Sequence, residues 1–424
     1  MPVRPVRLIA AGGQPDFRRL WLGETARGLG NSVTSVAVPL IAVVTLGTGA
    51  TAVGVLTAAT WLPWLLVGLP AGAWVDRMRH RPVLITCNVV SAVLYPSVPV
   101  AYWCDVLTFA QLLAVVLVCG VAAVFFQTAV HSYLPTVLGD GDLLEGNARL
   151  NASESGTSVA GPGLAGAVSQ AFGAVTGLLV DTCMFAVSTL CLATITSREE
   201  PPERGAGQAG LGRQIGEGMR FVLRDPYLRP IVTYGALANF ALLGYQAVQV
   251  VFLVRTAGAS TATVGLLLTS GSIGGILGAS VAGAIGRRFG TGRGMLMTQL
   301  LTGPFALLMP LTSPGPGLLF FASGAFVVGI GITACNVVLA GFRQTYCPPR
   351  LLGRVVATTM VCNHSTIPLG ALIGGVLGDR LGARPTMWIM TGLLAPCWAV
   401  LALGPMRHER DLPSLQFGEV AGLQ

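Results

Sequence analysis

The sequence predicts an all-α membrane protein, with twelve transmembrane helices in two parallel six-helix repeats around a central cavity. Three observations carry that reading. The first is composition: of 424 residues, 53% are hydrophobic and only 10% charged, against about 25% charged in soluble domains. A water-soluble fold cannot bury so much apolar surface, so the surplus has to face lipid. The second is the spacing of apolar runs. Twelve of them approach the ~20 residues that cross a bilayer: 20–45, 51–74, 82–103, 106–130, 148–171, 173–195, 228–254, 261–286, 294–312, 316–341, 353–377 and 385–404. The third is an internal repeat. Ala52-Val53-Gly54-Val55-Leu56 matches Thr263-Val264-Gly265-Leu266-Leu267, and Gly72 matches Gly283, both at 265 − 54 = 283 − 72 = 211. Gly166 and Gly173 match Gly375 and Gly382 at 375 − 166 = 382 − 173 = 209, and Asp16-Phe-Arg-Arg aligns with Asp225-Pro-Tyr-Leu-Arg229. Six helices in each copy keep the same orientation, so the repeats are parallel.

The expected domains are an N-terminal bundle over 1–196, a linker over 197–227, a C-terminal bundle over 228–406 and a tail over 407–424. The linker is rich in Arg, Glu, Pro and Gly, with an amphipathic portion over 211–223. Arginine fixes the orientation. With the N-terminus inside, the inner side receives Arg77, Arg79, Arg81, Arg149, the linker arginines, Arg287, Arg288, Arg293, Arg343, Arg350 and Arg354. The outer side receives only Arg255, Arg380 and Arg384. The reading is therefore a multi-pass protein of the inner (cytoplasmic) membrane with both termini cytoplasmic. No cleavable signal precedes the first long helix, which is expected to stay as a signal anchor.

Composition also excludes. The chain has no lysine, which removes P-loop and Schiff-base chemistry together. Nine cysteines lie mostly in apolar runs without a C-x-x-C pair, so they read as small hydrophobes. No metal, no cofactor and no enzyme activity is expected. The net charge of +8 is set by membrane topology, and no nucleic-acid partner is expected. The expected partners are the lipid bilayer, a small-molecule substrate and protons, on a monomer.

Four stretches carry a resemblance. They are Phe17-Arg-Arg-Leu-Trp21-Leu-Gly23, the charged loop from Gly72 to Ile85 with Asp76-Arg77, Leu138 to Asn147, and Pro368 to Gly382. Together they resemble the major facilitator superfamily, in particular its bacterial branch of macrolide-efflux proteins and the enterobactin exporter. Two positions depart from that pattern: Arg79, where the superfamily prefers Gly, and Asn31, where the branch often has Asp.

The candidate residues follow the chain. Glu24 and Arg27, spaced i,i+3 on the first helix, are read as a proton-coupling pair or as a structural ion pair. Charge at membrane depth costs about 2.5–3.5 kcal/mol, so each such residue needs a reason. In the loop after the second helix, Gly72 lets that helix pack closely. Asp76 accepts from the N-terminal end of the eleventh helix near 352–355. Arg77, Arg79 and Arg81 pair with Asp140, Asp142 or lipid phosphate. The resemblance implies that this loop is a gate closing the cytoplasmic side; topology alone is the plainer account of its arginines. The second copy of the loop, Gly286-Arg287-Arg288, lacks the acid, so the latch is expected to be asymmetric.

Further on, Glu154 is a coupling candidate or a partner of Arg149, and Asp181 is a third coupling candidate. Gly161, Pro162 and Gly166 give the fifth helix a kink and close packing, partly matching the antiporter motif of the family. Asn239, Gln246 and Gln249, with Asn336, Asn363 and His364, are candidate polar groups of a substrate cavity. Trp61, Trp64, Phe125, Phe126, Phe240 and Phe326 are its apolar walls. His364 either titrates near neutral pH or is a packing histidine.

These features suit a secondary active transporter, a proton-driven exporter of a hydrophobic or amphipathic compound by alternating access. The alternatives are a metabolite importer of the same fold and a non-transporting sensor or scaffold that kept it. Cysteines introduced at Gly205 and Pro405 should resist an impermeant thiol reagent added to intact cells. Efficient labelling there would overturn the orientation.

Overall fold

The structure, a computed structural model, describes residues 14–75, 77–138, 143–197 and 219–413. Among them no β-strand occurs. Ten helical spans are long and apolar enough to cross a membrane. Two further regions complete the expected twelve. The helix over Ala50–Leu66 is apolar but shorter, and the 30-residue helix Leu143–Phe172 carries Glu145, Arg149 and Glu154.

In chain order the helices are α1 (Pro15–Leu40), α2 (Ala50–Leu66), α3 (Gly68–Val75), α4 (His80–Trp103), α5 (Phe109–Val137), α6 (Leu143–Phe172) and α7 (Gly177–Ala193). Then come α8 (Leu228–Val251), α9 (Thr261–Phe289), α10 (Thr291–Thr302), α11 (Leu318–Tyr346), α12 (Pro349–Leu381), α13 (Ala383–Leu394) and α14 (Trp398–Ala402). Three expected single spans are divided, and proline accounts for each. Pro70 has no N–H for the carbonyl of Leu66, which separates α2 from α3. Pro304 opens the 3-10 stretch Gly303–Leu311 that continues α10. Pro396 lies between α13 and α14. Of the amphipathic linker portion, 219–223 is helical, the helix running on to 224, and 211–218 lie outside the described residues.

The repeat is written into the backbone. A π-helical turn ends both α1, at Ile41–Thr45, and α8, at Phe252–Thr256. Their offset is 252 − 41 = 211. Each is followed by a left-handed glycine, Gly47 at φ 64° and Gly258 at φ 63°, again 258 − 47 = 211. Gly173 at φ 92° and Gly382 at φ 94° stand 382 − 173 = 209 apart. A side chain at such φ is strained, so these glycines stop the helix at the same point in both copies. Pairing is repeated too: α1 packs on α6 and α7, and α8 packs on α12 and α13.

The chain packs as two units, Met1–Ile41 with Leu66–Arg204, and Ala42–Leu65 with Gly205–Gln424. In the first unit the core at one end gathers Phe17, Leu20, Leu84, Phe126, Tyr133 and Leu192. Asp16 accepts from the backbone N–H of Ser197 at 2.8 Å and of Thr196 at 3.2 Å, tying the start of α1 beyond the end of α7. Arg19 donates to the Thr194 carbonyl at 2.7 Å. Arg81 donates to the carbonyls of Leu192 and Ala193 at 3.1 and 2.6 Å. The partner expected for Arg81 was an acid or phosphate; the carbonyls it bonds among the described residues are the terminal ones of α7, and a helix C-terminus is a ready cation acceptor. Asp140 and Asp142 lie outside the described residues.

In the second unit a core of Leu228, Ile231, Val355, Leu401 and Met406 is joined by Phe342. Phe342 stacks on Tyr346 at 4.7 Å, and Tyr346 donates to Asp225 at 2.7 Å. Asp225 also accepts from the N–H groups of Tyr227 and Leu228, which caps α8. Residues 409–412 fold back on the start of α10. Asp411 accepts from Thr291 N–H at 2.9 Å, and the Arg410 carbonyl accepts from Gly292 and Arg293 at 3.1 and 3.2 Å. An acid is thus present beside the second copy of the charged loop, delivered from the tail.

The glycines differ from expectation in a measurable way. A methyl at Gly72 meets open space, so close packing is not its role among the described residues. A methyl at Gly161 would overlap Ser32 of α1. Pro162 sits inside an unbroken α6, and the close approach made by Gly161 is to α1. Gly166 is buried in the same helix. Gly161→Ala should therefore lower stability by about 1–3 kcal/mol through overpacking. Gly72→Ala should leave it unchanged or slightly raised. Thermal unfolding in detergent checks both.

Candidate functional site

Two places concentrate polar groups within helices read as membrane-spanning. The first belongs to the first unit, between α1, α4, α5 and α7. Arg27 is 3% exposed. Its guanidinium lies over the Phe126 ring at 3.8 Å and 5.8 Å from that of Phe185. Its Nε has no hydrogen-bond partner, nor has Oε1 of Glu24, and no ion pair closes between them. The expected Glu24–Arg27 pair is open because two aromatic faces hold the cation. Phe126 is fully buried under that charge, so it is no cavity wall.

Asp181 on α7 is fully buried. Thr34 donates to its Oδ2, while Oδ1 has no partner. A methyl at Gly30 would overlap Oδ1, so the bare backbone of α1 makes room for the carboxyl. Asn88 of α4, also fully buried, donates to Ser188 at 2.7 Å and leaves its own Oδ1 unpartnered. The structure thus brings Glu24, Arg27 and Asp181 into one unit and leaves Glu154 exposed on α6. Arg149 pairs with Glu145 at 2.6 Å, not with Glu154, since i,i+4 places Glu145 one turn below it. Sequence reading passed over Thr34 and Asn88. Asn88 had a signal, an amide in the middle of an apolar run; Thr34 had none, because threonine is ordinary in membrane helices.

The second place belongs to the second unit, where α2 lies on α12. Gly54 and Gly375 meet with no side chain between them. Asp379, near the end of α12, accepts from the free N–H groups of Ala50 and Thr51 at 2.7 and 2.9 Å. That is an N-cap reaching across 329 positions of sequence. Beside it Arg255 donates to the Thr48 carbonyl at 2.9 Å. Below it, His364 lies 5.5 Å from Trp61 and 6.4 Å from Trp64, ring centre to ring centre. Asn363 packs on the bare backbone of Gly235. Asn239, Gln246 and Gln249 are half-buried on α8, and Asn336 is exposed on α11. These polar groups are spread over α8, α11 and α12 and, among the described residues, form no hydrogen-bonded cluster with one another. Of the charged loop, Asp76 lies outside the described residues, and Arg77 is exposed. Among the described residues no group of His, Cys, Asp and Glu is arranged to hold a metal.

Buried charges with unsatisfied atoms inside a twice-repeated bundle of apolar helices fit the repeated architecture of membrane transporters. The chain belongs to the Major Facilitator Superfamily, whose family model matches residues 20–371 and again 246–419. It is a multi-pass membrane protein with that transporter fold. It is 27% identical to the multidrug efflux pump Tap of Mycolicibacterium fortuitum over 395 residues, which is 91% of this chain and 95% of that one. It is 18% identical to macrolide efflux protein A of Streptococcus pyogenes over 93% of this chain and 96% of that one. The crystal structure of the nucleoside transporter NupG superposes with a TM-score of 0.74 at 12% identity, covering 93% of this chain and 99% of that one. That likeness concerns the fold.

The Asp379 cap has a measurable worth. Asp379→Ala should cost about 0.5–2 kcal/mol, the range for a lost N-cap. Asp379→Asn should recover part of it by keeping one acceptor. Thermal melts in detergent read both.

Proposed function

We propose that this chain is a secondary active exporter of hydrophobic or amphipathic small molecules, driven by proton entry. The observation that carries the reading is the open acid–base set Glu24, Arg27 and Asp181. Charge held at membrane depth costs about 2.5–3.5 kcal/mol per residue, and a purely structural set would close its pairs. Here Glu24 and Asp181 each keep an unpartnered oxygen, and Arg27 keeps an unpartnered Nε on an aromatic bed. A guanidinium held by ring faces is free to move toward one carboxyl or the other. A substrate that displaces it changes which carboxyl holds a proton, and that competition is what antiport requires. One charge crossing 100 mV supplies about 2.3 kcal/mol, enough for roughly a 50-fold gradient. Similarity to efflux proteins over nearly the whole chain favours export.

In this reading the protein works as a monomer in the inner membrane, with both termini and the linker cytoplasmic. Its two six-helix halves alternate about a central substrate path. The loop of Gly72, Asp76, Arg77 and Arg81 gates the cytoplasmic side, with Arg81 anchoring it to α7. Gly161, Pro162 and Gly166 shape α6. Asn239, Gln246, Gln249, Asn336, Asn363 and His364 supply polar contacts for substrate. Glu154 is the reserve proton site.

Inverted vesicles test the driving ion. Glu24→Gln keeps shape but fixes the uncharged state. It should abolish uptake driven by a pH gradient while sparing gradient-free exchange of substrate. Continued concentration of substrate against its gradient would move the carrier to Asp181 or Glu154. Loss of both activities would make the set structural.

A further inference from the structure

Three rings of the second unit lie within contact distance in helices read as membrane-spanning. Trp61 and Trp64 are i,i+3 on α2, and His364 of α12 lies 5.5 and 6.4 Å from them. All three are partly exposed, so none is sealed in a core. The mount is rigid. Trp61 packs against the buried cluster of Ala58, Leu243, Ala247, Ile367 and Ala371. The α2 backbone is pressed onto α12 at Gly54 and capped by Asp379. A platform already held in place loses little ordering entropy when a ligand arrives.

The chemistry of the rings is one-sided. Nδ1 of His364 lies 2.8 Å from the Met360 carbonyl oxygen. A carbonyl only accepts, so Nδ1 carries the hydrogen and Nε2 of the neutral ring presents a lone pair. That Nε2 has no hydrogen-bond partner among the described residues. Indole nitrogens are donors only, which makes Nε2 the single acceptor in the three rings. A bare ring acceptor facing lipid would go unsatisfied, so its place is on a path that polar solutes reach. The indole faces attract cations and flat rings.

We propose that Trp61, Trp64 and His364 form a binding subsite for planar aromatic amines. The ligand ring stacks on the indoles and its N–H donates to His364 Nε2. This rests on the transporter reading and names a substrate class within it.

The test is binding by purified full-length protein in detergent, followed through quenching of tryptophan fluorescence. The probes are proflavine, a planar ring system with two amino groups, and acridine, the same rings without them. Wild-type protein should bind proflavine more tightly than acridine. His364→Phe keeps a ring face and removes the acceptor, so it should weaken proflavine about 2- to 10-fold and leave acridine unchanged. Trp64→Leu should weaken both by a similar factor. Trp61→Leu is added only if its melting temperature matches wild type, because Trp61 also packs in the core. Equal proflavine affinity in wild type and His364→Phe overturns the proposal, as does equal affinity of the two probes for wild type. Vesicle transport separates the two claims. Proflavine binding lost with His364→Phe, without transport of any compound, supports the subsite and sinks the transporter reading. Transport of other compounds without proflavine binding does the reverse.

Discussion

Inside a bilayer there is no water to take up a spare N–H or C=O, and each one left unpaired costs several kcal/mol. Every break in a helix therefore has to be repaired from within the chain. In this protein side chains do it, most of those named here from distant sequence. Asp379 takes the first amides of α2, Asp225 those of α8, and Asp411 that of α10. Arg19 and Arg81 take the last carbonyls of α7, and Arg255 takes the Thr48 carbonyl. Acids at starts and arginines at ends also agree with the helix dipole. Several of the described charges are engaged in this way, so buried charges that are not so engaged stand out.

Arg27, Glu24 and Asp181 are three such charges, each with a buried atom left unpartnered. They sit where helices are pressed together at small residues, Gly30 against Asp181 and Gly161 against Ser32. Without a hydrophobic driving force between helices in lipid, close contact of this kind holds them together. The same contact shapes a slot for a carboxyl in α1. Packing and chemistry are thus two uses of the same missing side chains.

Much of this was legible in the sequence. Composition and run length gave the helix count, and the constant glycine offset gave the repeat. The offset proved to mark backbone turns, with π-turns and left-handed glycines recurring at 211 and 209 residues. Glu24, Arg27 and Asp181 were visible because charge in an apolar run is conspicuous. What was hidden depends on three dimensions. Asp379 was read as part of a motif, yet its partners are main-chain amides 329 positions away, which no side-chain pattern announces. Arg149 was weighed as a partner of Glu154, yet it pairs with Glu145 one helical turn away, and Arg81 takes main-chain carbonyls of α7, which no charge pattern announces. Gly72 was taken for a packing glycine from its place in the charged-loop motif, yet a methyl there meets open space, while Gly161 is a packing glycine. The Trp61–His364 contact joins two halves of the sequence, and only the fold brings the rings together.

The strap over residues 409–412 has a consequence for biosynthesis. The acid that caps α10 lies 120 residues downstream of the amide it serves. While the chain is being made, α10 enters the membrane before that acid has left the ribosome. Its first turn stays unfinished until residue 411 emerges. A chain cut before residue 411 would carry α10 with the Thr291 amide uncapped.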